Sequence, residues 1–104
     1  MPKAAKQPRL TTRQFEAVAK ALADPRRMAL LESIGSQDEY SCQQLCKESG
    51  VSKGTVSHHM KELAHAGLIA ERCEGQFMFY EVCRERLAAY AAELMRRVAP
   101  PGGN

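Results

Sequence analysis

The stretch SCQQLCKESGVSKGTVSHHMKELAHAGL, residues 41–68, decides the fold of this chain. Ser41 followed three residues later by Gln44 is a capping box, which predicts the start of one helix. Gly50 ends that helix, and Ser52 is a good N-cap for the next one. The stretch therefore predicts two short helices joined by a tight turn.

The second of these helices separates into two faces when its residues are placed 100° apart. The inward face is apolar apart from His59, which we expect to be a core histidine holding a hydrogen bond. The outward face has no carboxylate from Lys53 to Lys61, so it can approach phosphates without repulsion. An ordinary solvated helix face is the alternative interpretation. The pattern predicts a DNA-reading surface formed by Ser52, Lys53, Gly54, Thr55, Ser57, His58 and Lys61.

Two further helices are predicted before this stretch. Thr11 or Thr12 caps the first, whose apolar stripe recurs at helical spacing and consists of Phe15, Val18, Ala19 and Leu22. Asp24-Pro25 then restarts a helix that is apolar around more than half its circumference, which predicts a central position in the domain. Its apolar residues are Met28, Leu30, Leu31 and Ile34.

A hairpin and a last helix are predicted after the stretch. Two β-rich runs between Leu68 and Cys83 surround Glu74-Gly75, which indicates a β-hairpin. Arg72 and Gln76 lie beside its tip, where we expect them to position phosphates, although a merely solvent-exposed hairpin is the alternative. The last helix runs from about residue 84 to 98, with one stripe formed by Leu87, Tyr90, Ala91, Leu94 and Val98.

The predicted order is α-α-α-α-β-β-α, a mainly α fold with a β-hairpin in which a helix-turn-helix leads directly into a wing. With 104 residues the chain forms one domain. We expect residues 1–10 to be a flexible arm, 11–98 the winged helix-turn-helix domain and 99–104 a flexible tail.

Composition limits the function classes. A hydrophobic content of 44% and a charged content of 26% are typical of a globular protein, and no apolar run approaches the length of a membrane span. The N-terminus has no apolar core of a secretory signal, so we expect a cytoplasmic protein.

Lys3, Lys6 and Arg9 account for the net charge of +3, so an argument for DNA binding must rest on where the charges lie. Since no nucleophile–base set, phosphate loop or closed metal-ligand spacing is present, an enzyme is not expected.

The sequence resembles the arsenical-resistance-repressor (ArsR/SmtB) family of winged helix-turn-helix regulators. The matching strings are AKALADPRRMALL, VSKGTVSHHMKELAHAGLI and ERCEGQFMFYEV, which together extend the resemblance from about residue 15 to 98. The resemblance implies a homodimeric repressor that binds an inverted-repeat operator in double-stranded DNA and is released by an inducer. It also implies dimerisation through the first and last helices, in agreement with their apolar stripes; the expected interface residues are Phe15, Val18, Leu22, Leu87, Tyr90 and Leu94.

Four cysteines, Cys42, Cys46, Cys73 and Cys83, occur without a secretion signal, so a disulfide framework is not expected. Cys42 and Cys46 are neighbours on one helix face and are the candidates for holding a soft metal or metalloid ion. The arsenic-sensing members of the family carry a Cys-x-Cys pair at this point, which this chain lacks. We expect these two thiols to be packing residues, with no cofactor.

The sequence therefore predicts a DNA-binding transcriptional repressor. Two alternatives stay open at this point. One is a repressor that senses a metalloid or an oxidant through Cys42 and Cys46. The other is a winged-helix protein-interaction module that has lost DNA binding.

Overall fold

The computed structural model describes residues 9–100 and Gly102, so most of the predicted arm and part of the predicted tail lie outside the described residues. The described chain forms a winged helix-turn-helix. Its elements are α1 (Thr12–Leu22), α2 (Pro25–Gly35), β1 (Tyr40–Ser41), α3 (Cys42–Ser49), α4 (Lys53–His65), β2 (Ile69–Glu74), β3 (Phe77–Val82) and α5 (Arg84–Val98).

The predicted helix starts are confirmed, because local side-chain chemistry sets them. The N-cap side chains each accept a backbone N–H from two or three residues ahead; they are Thr11, Asp24, Ser41 and Ser52. Gly67 follows the last turn of α4 with φ +79°, a conformation that ends the helix and that residues with a Cβ rarely adopt.

The hairpin is confirmed, but the sheet has a third strand that the sequence did not predict. The order is β1-β3-β2, entirely antiparallel, with Tyr40 opposite Tyr80. The hairpin turn is formed by Gly75 and Gln76, since Glu74 pairs with Phe77. A two-residue strand is too short to show alternation, and its partner lies forty residues away in the chain, so only the tertiary structure could reveal it.

The core lies between α1–α4 and the inner side of the sheet. Its largest fully buried side chains are Ile34, Leu45, Met60, Leu63, Leu68, Val18 and Val56. Val18 was expected at the dimer interface, but it has no exposed surface and belongs to the core of the protomer. Met28 was expected inside the domain, but it is 38% exposed because α2 turns this side away from the core.

A cluster of ionic and aromatic groups joins the end of α5 to the start of α1. Glu93, only 3% exposed, accepts hydrogen bonds from Arg96 at 2.6 Å, Arg97 at 2.8 Å and Arg9 at 3.2 Å. The Arg97 guanidinium lies 4.2 Å from the centre of the Phe15 ring. Phe15 in turn stacks on Tyr90 at 5.0 Å, so two residues expected at the dimer interface already contact each other within one protomer.

This cluster makes the free energy of unfolding depend on pH in the acid range. Hydrogen bonds from Arg97 and Arg96 lower the pKa of Glu93 from 4.5 to about 2. Because the folded-state pKa is depressed, the stabilisation is complete above pH 4.5 and is lost as the pH falls towards 2. We expect Glu93→Gln to lower the Tm at pH 7, and the difference from the wild type to shrink steadily below pH 4.5, in thermal unfolding followed by circular dichroism.

The matched control is Glu16→Gln, which removes an exposed carboxylate from α1 without touching the cluster. A Tm difference for Glu93→Gln that stays constant from pH 7 to pH 3 would contradict the assigned role of the ion pairs.

The outer side of α5 is apolar and exposed. At 100° per residue, its small and apolar positions at 88, 91, 95 and 98 fall within about 80° of one another, opposite buried Ala89 and Glu93. Met95 is 57% and Val98 74% exposed, and Leu94 at the edge of this face is 39% exposed. No helix in the described part of the chain is long and apolar enough to cross a membrane.

Candidate DNA-binding surface

A groove of about 580 Å³ runs between the start of α3, the outward face of α4 and the wing, the β2–β3 hairpin. Lys53, Ser57 and Lys61 line it from α4, at the spacing of one helix face. Gln76 lines it from the wing turn. The fold therefore brings together four of the nine residues that the sequence predicted to contact DNA.

The other predicted α4 residues do not line this groove. Ser52 caps the helix, and its hydroxyl lies 3.0 Å from that of Thr55, so both hydroxyls are partly occupied by the helix start. His58 is exposed. A Cβ placed on Gly54 would meet no atom within 4 Å, so internal packing does not require glycine there. The small residue leaves room for a ligand backbone to approach the helix.

Arg72 does not join this surface, which corrects the sequence-based expectation. It lies opposite Phe79 on the strand face away from the groove, because side chains alternate along β2. Its guanidinium pairs with Glu39 and Glu74, each at 2.7 Å, and lies 4.7 Å from the centre of the Phe79 ring. The hydrogen bond to Glu39 raises the pKa of Arg72. Its charge is already balanced by two carboxylates, so it offers little attraction to a phosphate.

Sequence reasoning missed five residues that line the groove from the wing: Glu71, Cys73, Phe77, Met78 and Tyr80. Phe77 is 43% exposed, an unusual position for a large aromatic side chain. Phe77 pairs with Glu74 on the Arg72 side of the hairpin, so it lines the groove from its position beside the turn. Alternation along β2 could have indicated only the face of Cys73, whose direction towards α4 is set by the register. Glu71 shares this face and places one carboxylate at the groove.

Cys42 and Cys46 lie at the opposite wall of the groove, with Cys42 only 8% exposed and packed in the core. Burial, and then the neighbouring Cys42, raise the pKa of the Cys46 thiol. A raised pKa disfavours the thiolate, the form that binds metals and reacts with oxidants. No group of three histidine, cysteine or acidic residues with metal-binding geometry occurs within the described ranges. Cys42 lies in the core and Cys46 packs against it, and a packing role for the two thiols stays a prediction.

A helix-turn-helix, a basic and hydroxyl-rich outward face on its second helix, and a wing beside that face define a winged helix-turn-helix DNA-binding protein. Known proteins extend this assignment. A family model described as "Helix-turn-helix domain" matches residues 22–72. The transcriptional repressor SdpR of Bacillus subtilis is 31% identical over 65 residues, which cover 62% of this chain and 71% of that protein.

Further similarities indicate the family. The arsenical resistance operon repressor of Staphylococcus xylosus is 28% identical over 78 residues, 75% of this chain and 74% of that protein. The solved structure of an ArsR-like transcriptional regulator from Rhodococcus sp. RHA1 superposes with a TM-score of 0.75 at 25% identity, covering 84% of this chain and 81% of that one. The chain belongs to the ArsR family of winged helix-turn-helix transcriptional repressors. Proteins of this family regulate transcription and are not enzymes.

Proposed function

We propose that this repressor acts as a homodimer that reads an operator through the groove-facing side of α4. The observation that supports it is the convergence of Lys53, Ser57 and Lys61 with Gln76 in one groove. In this proposal the lysines contact phosphates, which set the position on DNA. Ser57 and exposed His58 contact base edges in the major groove, which set the sequence preference.

The proposed DNA-binding domain comprises residues 11–98, and its dimer forms through α5. The exposed apolar face of α5 supports this, because contiguous exposed apolar surface can mark a protein–protein interface. A twofold axis at α5 would present two copies of α4 to successive major grooves, roughly 34 Å apart. Because a repressor must reach its operator DNA, we place the protein in the cytoplasm.

Salt-dependent binding tests this function. We expect the protein to bind duplex DNA from upstream of its own gene with an affinity that falls steeply as salt rises. Lys53→Ala and Lys61→Ala should each weaken binding to all duplexes and reduce the slope of log K against log salt by about one per protomer. Fluorescence anisotropy with a labelled duplex at several salt concentrations measures both quantities.

Lys20→Ala is the matched control, because Lys20 is exposed on α1 and distant in sequence from the groove. It should leave the slope unchanged. Affinity that does not depend on salt, or a slope that Lys61→Ala leaves intact, would count against DNA binding by this surface.

A further inference from the structure

The imidazole of His59 is buried without a partner. The side chain is 5% exposed, and neither Nδ1 nor Nε2 has a hydrogen-bond partner among the described residues. The sequence-based expectation of a hydrogen bond was therefore wrong. Since nearly all buried polar groups in folded proteins are paired, an orphan of this kind marks a place where something else supplies the partner.

His59 lines a cavity of about 350 Å³ between α2, α3 and α4, distinct from the DNA-facing groove. Ala29 and Leu30 form its wall on α2, and Leu45 and Val51 form its wall at the helix-turn-helix. The volume lies at the lower end of the range for small-molecule sites. The lining combines apolar side chains with one buried polar side chain that lacks a partner among the described residues.

Two charged side chains line this cavity, and each has a partner of its own. Arg26 forms an ion pair with Asp24 at 3.3 Å, and Glu48 accepts the hydroxyl hydrogen of Tyr40. Burial lowers the pKa of His59, while Asp24 opposes this and Arg26 adds to it. The imidazole is therefore neutral near pH 7, with one N–H donor and one lone pair. The matching ligand group both donates and accepts a hydrogen bond, and a hydroxyl does so.

We propose that this cavity binds a small, uncharged, largely apolar phenol or alcohol whose hydroxyl pairs with His59. His59 lines the cavity but neither ring nitrogen has accessible surface, so binding requires a rotation about the Cβ–Cγ bond, a soft torsion, that presents one of them to the ligand. A carboxylate would meet Glu48 and an Arg26 that is already paired with Asp24, so an anionic ligand of the same size is disfavoured.

The cavity adjoins α4, so a ligand bound there can change the affinity of the protein for DNA. This inference rests on the proposed function. Thr55 and His59 line the cavity from α4, whose other side carries Lys53, Ser57 and Lys61. A ligand between α2 and α4 alters how α4 is held against the domain. The ligand regulates the repressor if it binds the conformation of the DNA-free protein more tightly than the DNA-bound conformation. We expect saturating ligand to weaken operator affinity about tenfold.

Phenol, toluene and benzoate are the probes, titrated into the full-length protein by isothermal calorimetry at pH 7.5. Phenol should bind at least about tenfold more tightly than toluene, which has the same shape without the hydroxyl, and benzoate should bind most weakly. His59→Phe keeps an aromatic ring in the core and should abolish the preference for phenol over toluene. Equal affinity of wild type for phenol and toluene would overturn the proposal.

A second variant keeps the test independent of His59. Ala29→Leu extends a side chain at the cavity wall and should weaken phenol binding at least about tenfold, whereas Ala23→Leu, at an exposed alanine that does not line the cavity, should not. Unchanged phenol binding in Ala29→Leu would overturn the site.

The operator titration is then repeated with and without phenol. Phenol binding without any change in operator affinity would overturn the regulatory half of the proposal. Phenol binding to a protein that binds no duplex would leave the site standing and refute the proposed function instead.

Discussion

The double variant Ser57→Ala/His58→Ala should lose most of its preference for the operator while keeping its binding to unrelated duplexes. Each well-formed contact to a base edge is worth about 1–3 kcal/mol of discrimination, so two losses should reduce specific affinity by more than about tenfold at fixed salt. Ser57 is half-buried and His58 exposed, and because the His58 ring lies 5.7 Å from that of buried His59, the Tm of the variant is measured as well. Anisotropy titrations of operator and scrambled duplexes give the ratio of the two affinities directly.

His65→Ala is the control, because it removes an exposed histidine from the last turn of the same helix. It should leave both affinities intact. If the double variant retains wild-type specific affinity and an unchanged Tm, α4 does not read the operator through these side chains.

The variant Met95→Asp should dissociate the dimer. Met95 is 57% exposed in the protomer and lies near the centre of the apolar face of α5. In a twofold dimer each protomer would bury the new carboxylate against apolar surface without a partner, at a cost of about 3 kcal/mol or more. That corresponds to a rise of at least about a hundredfold in the dimer dissociation constant. Sedimentation equilibrium measures it, and operator affinity should fall in parallel.

Gln37→Asp adds the same charge at an exposed position in the segment between α2 and β1, and should change neither the assembly nor the operator affinity. A wild-type protein that sediments as a monomer, or a Met95→Asp protein that remains a dimer, would show that α5 is not the interface.

Local signals in the sequence were sufficient for the helices and the hairpin. The capping residues Thr11 and Ser41, the Asp24-Pro25 pair and Gly67 each act through neighbours within a few residues, so their effects could be read without tertiary information. The strand β1 could not be predicted this way, because it exists only through its pairing with β3.

The candidate site was predictable in part. The outward face of α4 follows from helix geometry, and the groove contains Lys53, Ser57 and Lys61 as expected. The role of Arg72 was not predictable, because Glu39 reaches it from a segment 33 residues away. Helical spacing placed Val18 on an apolar stripe, but spacing alone does not say whether a stripe faces the protomer core or a partner.

The sequence by itself determined where each helix of residues 41–68 begins and ends and which side chains share its outward face, because both depend on contacts within one or two turns. The tertiary structure decided what each face meets. It turned Lys53, Ser57 and Lys61 towards the wing, placed Arg72 in ion pairs, and left the inward-facing His59 beside a cavity with no hydrogen-bond partner among the described residues. These outcomes depend on side chains brought together from distant parts of the chain, and helix periodicity carries no information about them.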